Sequence, residues 1–223
     1  MLQKTIRILE RPGAAIIVAA ALSVWGFGAP AKAVVIAPGQ TLNTNGEAAP
    51  AFGAPVYNSG NVPFVATDIF NNVAFSGELD STVYTDPNSG GLDFVYQFSN
   101  DASSGDYILS FSASSFSGLN PIDADYLLAT GTSVPTTVER NAANQGGTVD
   151  FSFPSGVAPG TNTAELIVKT PATQYNLFGT ASFQDGANVT ISAPEPVPEP
   201  TSVALAGMAL FGLGIRRRAV ARR

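Results

Sequence analysis

Carboxylates carry most of the reactive chemistry open to this 223-residue sequence, which has no His and no Cys. Those absences remove Ser-His-Asp and Cys-His nucleophilic catalysis, the usual zinc sites and the usual neutral-pH base. No Gly-rich phosphate loop follows a strand and opens a helix. Glu78 and Asp80 stand two residues apart, on one face of an extended segment. With a partner carboxylate such residues can form a glycosidase pair; the plainer reading is a solvated strand face. Asp123, Asp125 and the loop 100–106 gather the hard oxygens that suit Ca²⁺. Neither has the spacing of a known calcium loop, and Asp and Asn in turns need no ligand to explain them. No metal or other cofactor is expected. Of the tyrosines that could stack on sugars, Tyr96 and Tyr107 fall at strand positions that point into a core.

Strands must position these groups. Residues 34–193 are rich in Ser, Thr, Asn, Gly, Phe and Val, with almost no helix-favouring run. Val34-Val35-Ile36 reads as an edge strand followed by a long loop to residue 61, and 62–67 as an edge strand containing Pro63. Val73, Phe75, Leu79 and Val83 mark a long strand, bulged at Gly77. The clearest alternation is Leu92, Phe94, Tyr96 and Phe98 on one face against Asp93, Val95, Gln97 and Ser99 on the other. Tyr107, Leu109, Phe111 and Ala113 repeat it, so 92–113 reads as a hairpin. Then come a loop at 118–125, a short strand at 126–130, an edge at 134–139, and a strand at 149–153 closed by Pro154-Ser-Gly. Strands at 164–170, 177–183 and 187–192 finish the set. About nine strands with polar turns predict an all-β fold, a single antiparallel β-sandwich, jelly-roll-like.

Charge is divided unevenly. Residues 34–193 hold two basic groups, Arg140 and Lys169, against 14 acidic ones, a net charge of −12. Such a surface argues against nucleic acid as a partner. The absence of Cys means that no disulfide staples the domain. The other nine basic residues all sit in two terminal segments. Residues 1–33 have a signal peptide's layout, with Lys4, Arg7 and Arg11, then an apolar run, then the small-x-small site Ala31-Lys32-Ala33. That places the mature N-terminus at Val34; an uncleaved N-terminal anchor is the alternative.

The other end has three parts. Prolines 194, 196, 198 and 200 favour an extended spacer over 194–201. An uncharged run follows at 202–215, carrying Val203, Leu205, Leu210, Phe211, Leu213 and Ile215, and Arg216, Arg217 and Arg218 open a basic tail at 216–223. A helix stopped by arginines is a membrane anchor with its basic end in the cytoplasm. Thirteen apolar residues, however, give only about 20 Å of helix, short of a full span. Both basic ends belong on the cytoplasmic side, so the β-domain between them faces outward.

Pro198-Glu199-Pro200-Thr201, the short apolar run and the arginines together resemble the PEP-CTERM sorting signal of bacterial exported proteins. The stretch from Phe75 through Ser99 also resembles a segment common in PEP-CTERM ectodomains. The resemblance implies a substrate rather than an enzyme: an exported protein, held transiently by its C-terminal helix and processed near the motif by a membrane transpeptidase, exosortase. Pro198, Glu199 and Pro200 would be the recognition motif, Val203–Ile215 the anchor and Arg216–Arg218 the stop; Pro194-Glu195-Pro196 is a second, less well placed copy. It also implies a cell-surface or extracellular-matrix setting, with extracellular polysaccharide as a partner. The expected function is therefore a non-catalytic structural or adhesive β-domain. The alternatives are a secreted carbohydrate-binding or carbohydrate-cleaving domain, favoured by exposed aromatics or a carboxylate pair in a cleft, and a permanent single-span protein. A convex, Ser/Thr-coated surface without a cleft would favour the structural role.

Overall fold

The computed structural model describes residues 34–198. The signal segment, Glu199, Pro200, the apolar run and the arginine tail lie outside the described residues.

Two antiparallel sheets face each other. In chain order the strands are β1 (Val34–Val35), β2 (Gln40–Asn43), β3 (Pro55–Asn58), β4 (Val62–Thr67), β5 (Val73–Thr85), β6 (Leu92–Asn100) and β7 (Ile108–Ser114). They continue with β8 (Asp123–Tyr126), β9 (Thr137–Arg140), β10 (Thr148–Val157), β11 (Thr161–Asn162), β12 (Leu166–Thr170), β13 (Gln174–Asp185) and β14 (Ala187–Val197). One sheet runs β1-β8-β12-β6-β5-β3, with β4 also on β5 and β11 on β6; the other runs β14-β13-β7-β10-β9-β2. Apart from a 3-10 turn at Ala143–Gln145, no helix occurs among the described residues.

The alternation at β5 and β6 is realised as expected. The two strands pair from Gly77↔Asn100 to Thr85↔Leu92, and Phe75, Leu79, Val83, Phe94, Tyr96 and Phe98 all face the core. The expected hairpin of residues 92–113 does not form. β6 pairs with β5, β11 and β12, whereas β7 pairs with β10 and β13 in the opposite sheet. An inward aromatic face can meet its neighbour edge to edge or face to face, and here it does the second. Phe111 on β7 stacks on Phe98 of β6 at 5.6 Å and lies 5.4 Å from Tyr96, with Phe183 edge-on to Phe98 at 5.1 Å. Each such pair is worth about 0.5–1.5 kcal/mol beyond its buried area.

Other boundaries differ for local reasons. Register shifts where β7 meets β10, between Ser152 and Val157. Ile108 is therefore buried, while Tyr107 and Leu109, expected to point inward, are exposed. β10 runs on through Pro154-Ser-Gly rather than stopping there. Residues 123–126 form β8, not a loop, and β9 lies between β10 and β2 rather than at an edge. The expected loop before residue 61 contains β2 and β3. Part of that segment covers the outer face of β6, where Val95, Leu127 and Ile167 form a second small core with Phe52 and Tyr84.

The β5–β6 crossing depends on Gly77. A Cβ there would lie 1.9 Å from the Ser99 carbonyl oxygen and 2.7 Å from Phe64 Cζ. Backbone cannot yield as a flexible side chain would. Gly77→Ala is expected to lower the unfolding free energy by about 2 kcal/mol or more, read as a fall in the urea midpoint with an unchanged slope.

Candidate functional site

The carboxylates that sequence chemistry singles out are split between separate places: Asp123 lines the cavity described below, and Glu78 and Asp80 lie elsewhere. Glu78 and Asp80 lie on the outer face of β5, where Asn61 Nδ2 donates to Glu78 at 2.8 Å and Asn58 Nδ2 to Asp80 at 3.4 Å. Asp125 is buried and accepts from the backbone N–H groups of Gly46 (3.1 Å) and Tyr126 (2.9 Å), so it pins a loop. In the 100–106 loop, Asp101 accepts from Ser76 Oγ at 2.6 Å, and Asn100 Nδ2 donates to the carbonyls of Asp106 and Val157, each at 2.9 Å. These side chains hold turns. Among the described residues no group of three or more His, Cys, Asp or Glu is arranged to hold a metal ion.

A different cluster is assembled by the fold. A cavity of about 490 Å³ is lined by Asp86, Asp93, Asp123 and Lys169, with Pro50 and Pro121. Asp93 is only 2 % exposed. Burial, reinforced by the charges of Asp86, Glu47 and Asp123 against Lys169, pushes its carboxyl up to about 7. Lys169 Nζ pairs with Glu47 at 2.7 Å. Alternation alone places Asp93 on a solvent face. The covering loop buries it, and no spacing in the sequence announces that loop.

The outer face of the second sheet is coated with short polar side chains. One cross-strand row runs Thr190, Ser182, Ser112, Asp150, Glu139, Thr41; another runs Asn188, Gln184, Ser110, Ser152, Thr137, Asn43. Neighbours in and beside these rows bond to each other: Ser182 with Thr190 and Ser114 with Thr180, each at 2.8 Å, and Ser112 with Asp150. Burial and the Glu139 charge raise the Asp150 carboxyl, and the Ser112 hydroxyl opposes them.

The C-terminal strand is where the fold meets the expected sorting segment. β14 is the edge of its sheet and continues through Val197, pairing Asn176↔Glu195, Tyr175↔Pro196 and Gln174↔Val197. The spacer expected to begin at residue 194 therefore starts inside the sheet. Prolines are tolerated because an edge strand needs its donors on one side only. Pro194, which has no N–H, faces a bulge: Leu177 and Phe178 together occupy the β13 side between the Glu195 and Ala193 pairings. The Tyr96 hydroxyl, fully buried, donates to the Pro194 carbonyl at 3.1 Å. Burial, with the Glu195 charge, pushes that phenol well above its ordinary value, so it remains a donor. Pro194 and Pro196 are buried, and Glu195 Cβ lies 2.6 Å from where a Cβ on Gly179 would be. Pro198, the next residue after β14, is exposed.

A family model described as the PEP-CTERM protein-sorting motif matches residues 193–218. The chain carries a PEP-CTERM sorting signal. No curated protein and no solved structure matches it. The motif indicates an exported protein, and it implies membrane association and processing by an exosortase. Its span includes both Pro-Glu-Pro copies and the apolar run, but only the first copy lies within the described fold. Glu199 and Pro200, the anchor residues from Val203 to Ile215, the arginine stop and the cleavage pair Ala31 and Ala33 lie outside the described residues. Among the described residues no helix is long and apolar enough to cross a membrane. Sequence reasoning finds the PEP-CTERM signal but not its overlap with β14.

Proposed function

We propose that this chain is a non-catalytic exported protein whose β-domain is a structural or adhesive module at the cell surface or in the extracellular matrix. It reaches the outer side through the N-terminal signal and is held for a time by the C-terminal apolar helix. An exosortase-type transpeptidase then processes it near Pro198-Glu199-Pro200. The observation that carries this reading is the sorting motif at residues 193–218, continuous with the last strand of the fold. The β-domain's part in it is supported by the polar rows on the second sheet. Hydroxyls and amides at strand spacing, about 4.8 Å across and about 7 Å along, suit repeated weak hydrogen bonds to a hydroxylated polymer such as extracellular polysaccharide. The acidic surface suits a soluble module in that setting.

The intact mass of protein isolated from the cell surface, with both termini mapped, tests the sorting reading. The expected chain begins at Val34 and ends near Pro200, with or without an added group. A surface chain still carrying Phe211 and the arginine cluster, in cells with an active sorting enzyme, refutes it and leaves a permanently anchored β-domain.

A further inference from the structure

We propose that the fold itself selects between the two Pro-Glu-Pro copies: β14 conceals Pro194-Glu195-Pro196 and leaves Pro198-Glu199-Pro200 as the copy that is read. This rests on the sorting reading above and adds a selection step to it.

A protease-like enzyme must take its substrate as extended, free backbone, because its own groups must pair with that backbone and grip the side chains. The first copy offers neither. Glu195 and Pro196 are paired in register with Asn176 and Tyr175. Both prolines are buried, and the Pro194 carbonyl is held by the buried Tyr96 hydroxyl. Tyr175, opposite Pro196, is anchored in turn to the other sheet, donating to the Val56 carbonyl at 2.9 Å with its ring 5.7 Å from that of Tyr57. Reading the first copy would mean peeling β14 from β13 and breaking the Tyr96 bond. The second copy begins with exposed Pro198, one residue beyond the last pairing, Gln174↔Val197. From Val197 to the start of the apolar run at Val203 the chain can reach only about 20 Å at ~3.5 Å per residue. The enzyme must therefore work against the edge of the folded domain, and a paired strand there is a boundary it cannot cross.

The test uses the full chain in cells with an active sorting enzyme, reading loss of the C-terminal segment by mass. Glu195→Gln should be processed like the parent. Glu199→Gln should be processed at least ten-fold less, although the first copy is intact. Adding a six-residue Gly-Ser insert between Ala193 and Pro194 to the Glu199→Gln chain should restore processing, now at the first copy. The insert moves that copy out of the sheet without changing its distance to the apolar run. Processing of Glu199→Gln at the parental level overturns the proposal. So does failure of the insert to rescue, because distance from the apolar run would then be what selects. A parent chain that keeps its C-terminal segment overturns the sorting reading, and this one with it. Hydrogen exchange on the detergent-solubilised parent provides a check independent of how the variants fold. The Glu195 and Val197 amides should exchange at least 100-fold more slowly than free chain, and exchange at the free-chain rate overturns the proposal.

Discussion

Replacing Arg140 with Met is expected to lower the unfolding free energy by about 3 kcal/mol or more. Arg140 is 0 % exposed although it carries a full charge. Among the described residues no carboxylate pairs with its guanidinium. It donates instead to backbone carbonyls: Nε to Gly146 (3.0 Å), Nη2 to Leu119 (2.7 Å), Phe116 (3.2 Å) and Gln145 (3.4 Å), and Nη1 to Ile36 (3.4 Å). Those carbonyls belong to three separate stretches that meet at one end of the second sheet. Ile36, Phe116, Leu119 and Gly146 are buried, and the Phe116 carbonyl also accepts from the Leu119 N–H at 3.3 Å. A methionine fills much of the volume but leaves several buried acceptors unmade, each costing about 1–3 kcal/mol. Lysine keeps the charge but presents one compact ammonium where a planar fork is needed, so Arg140→Lys should recover only part of the loss. Burial already holds the guanidinium below its ordinary pKa. Urea denaturation of parent and both variants checks the order. A loss below about 1 kcal/mol in Arg140→Met would mean that the three stretches hold together without it.

What could be read beforehand, and what could not, divides on the range of the interaction. Period-two alternation is local, so Phe94, Tyr96 and Phe98 are legible as one inward face. Which strand a face meets is not local. The same pattern in Phe111 fits a hairpin partner or an opposing sheet, and the short turn after Asn100 made the hairpin look natural. A bulge shifts the face by one residue, which is why Tyr107 is outside and Ile108 inside. Arg140 could be counted as one of two cations in the domain, but nothing near it in sequence says that it is enclosed by carbonyls. The sorting segment was legible because its order of proline, apolar run and arginines is written in consecutive residues. Its first copy reads as part of a spacer because closely spaced prolines favour an extended, unpaired chain. An edge strand with a bulge opposite Pro194 escapes that rule.

Asp93 should make the fold less stable as pH rises from about 4 to about 7, and Asp93→Asn should remove that loss. The ordinary carboxylate value, 3.8, applies to the unfolded chain, while the folded value is about 7. Below pH 4 both states carry the proton and the residue contributes no pH dependence. Between the two values the folded state holds a proton that the unfolded state has released, so stability falls with pH. Above about 7 both states are ionised and the cost levels off, at up to about 4 kcal/mol from the separation of the two values. The cause is chiefly desolvation beneath the covering loop, with Asp86, Glu47 and Asp123 adding repulsion that Lys169 only partly offsets. Asparagine has nearly the same shape and no charge. It should therefore leave stability unchanged near pH 4 and raise it by up to about 4 kcal/mol at pH 8. Asp150, Glu165 and Asp185 are also raised, chiefly by burial, and slope the same way. The difference between parent and variant isolates Asp93 from them. Parallel pH profiles of parent and Asp93→Asn would show that the carboxyl is ionised and solvated in the folded state. A rising difference across pH 4–7 would mark the loop over β6 as a seal that holds a proton on the domain at neutral pH.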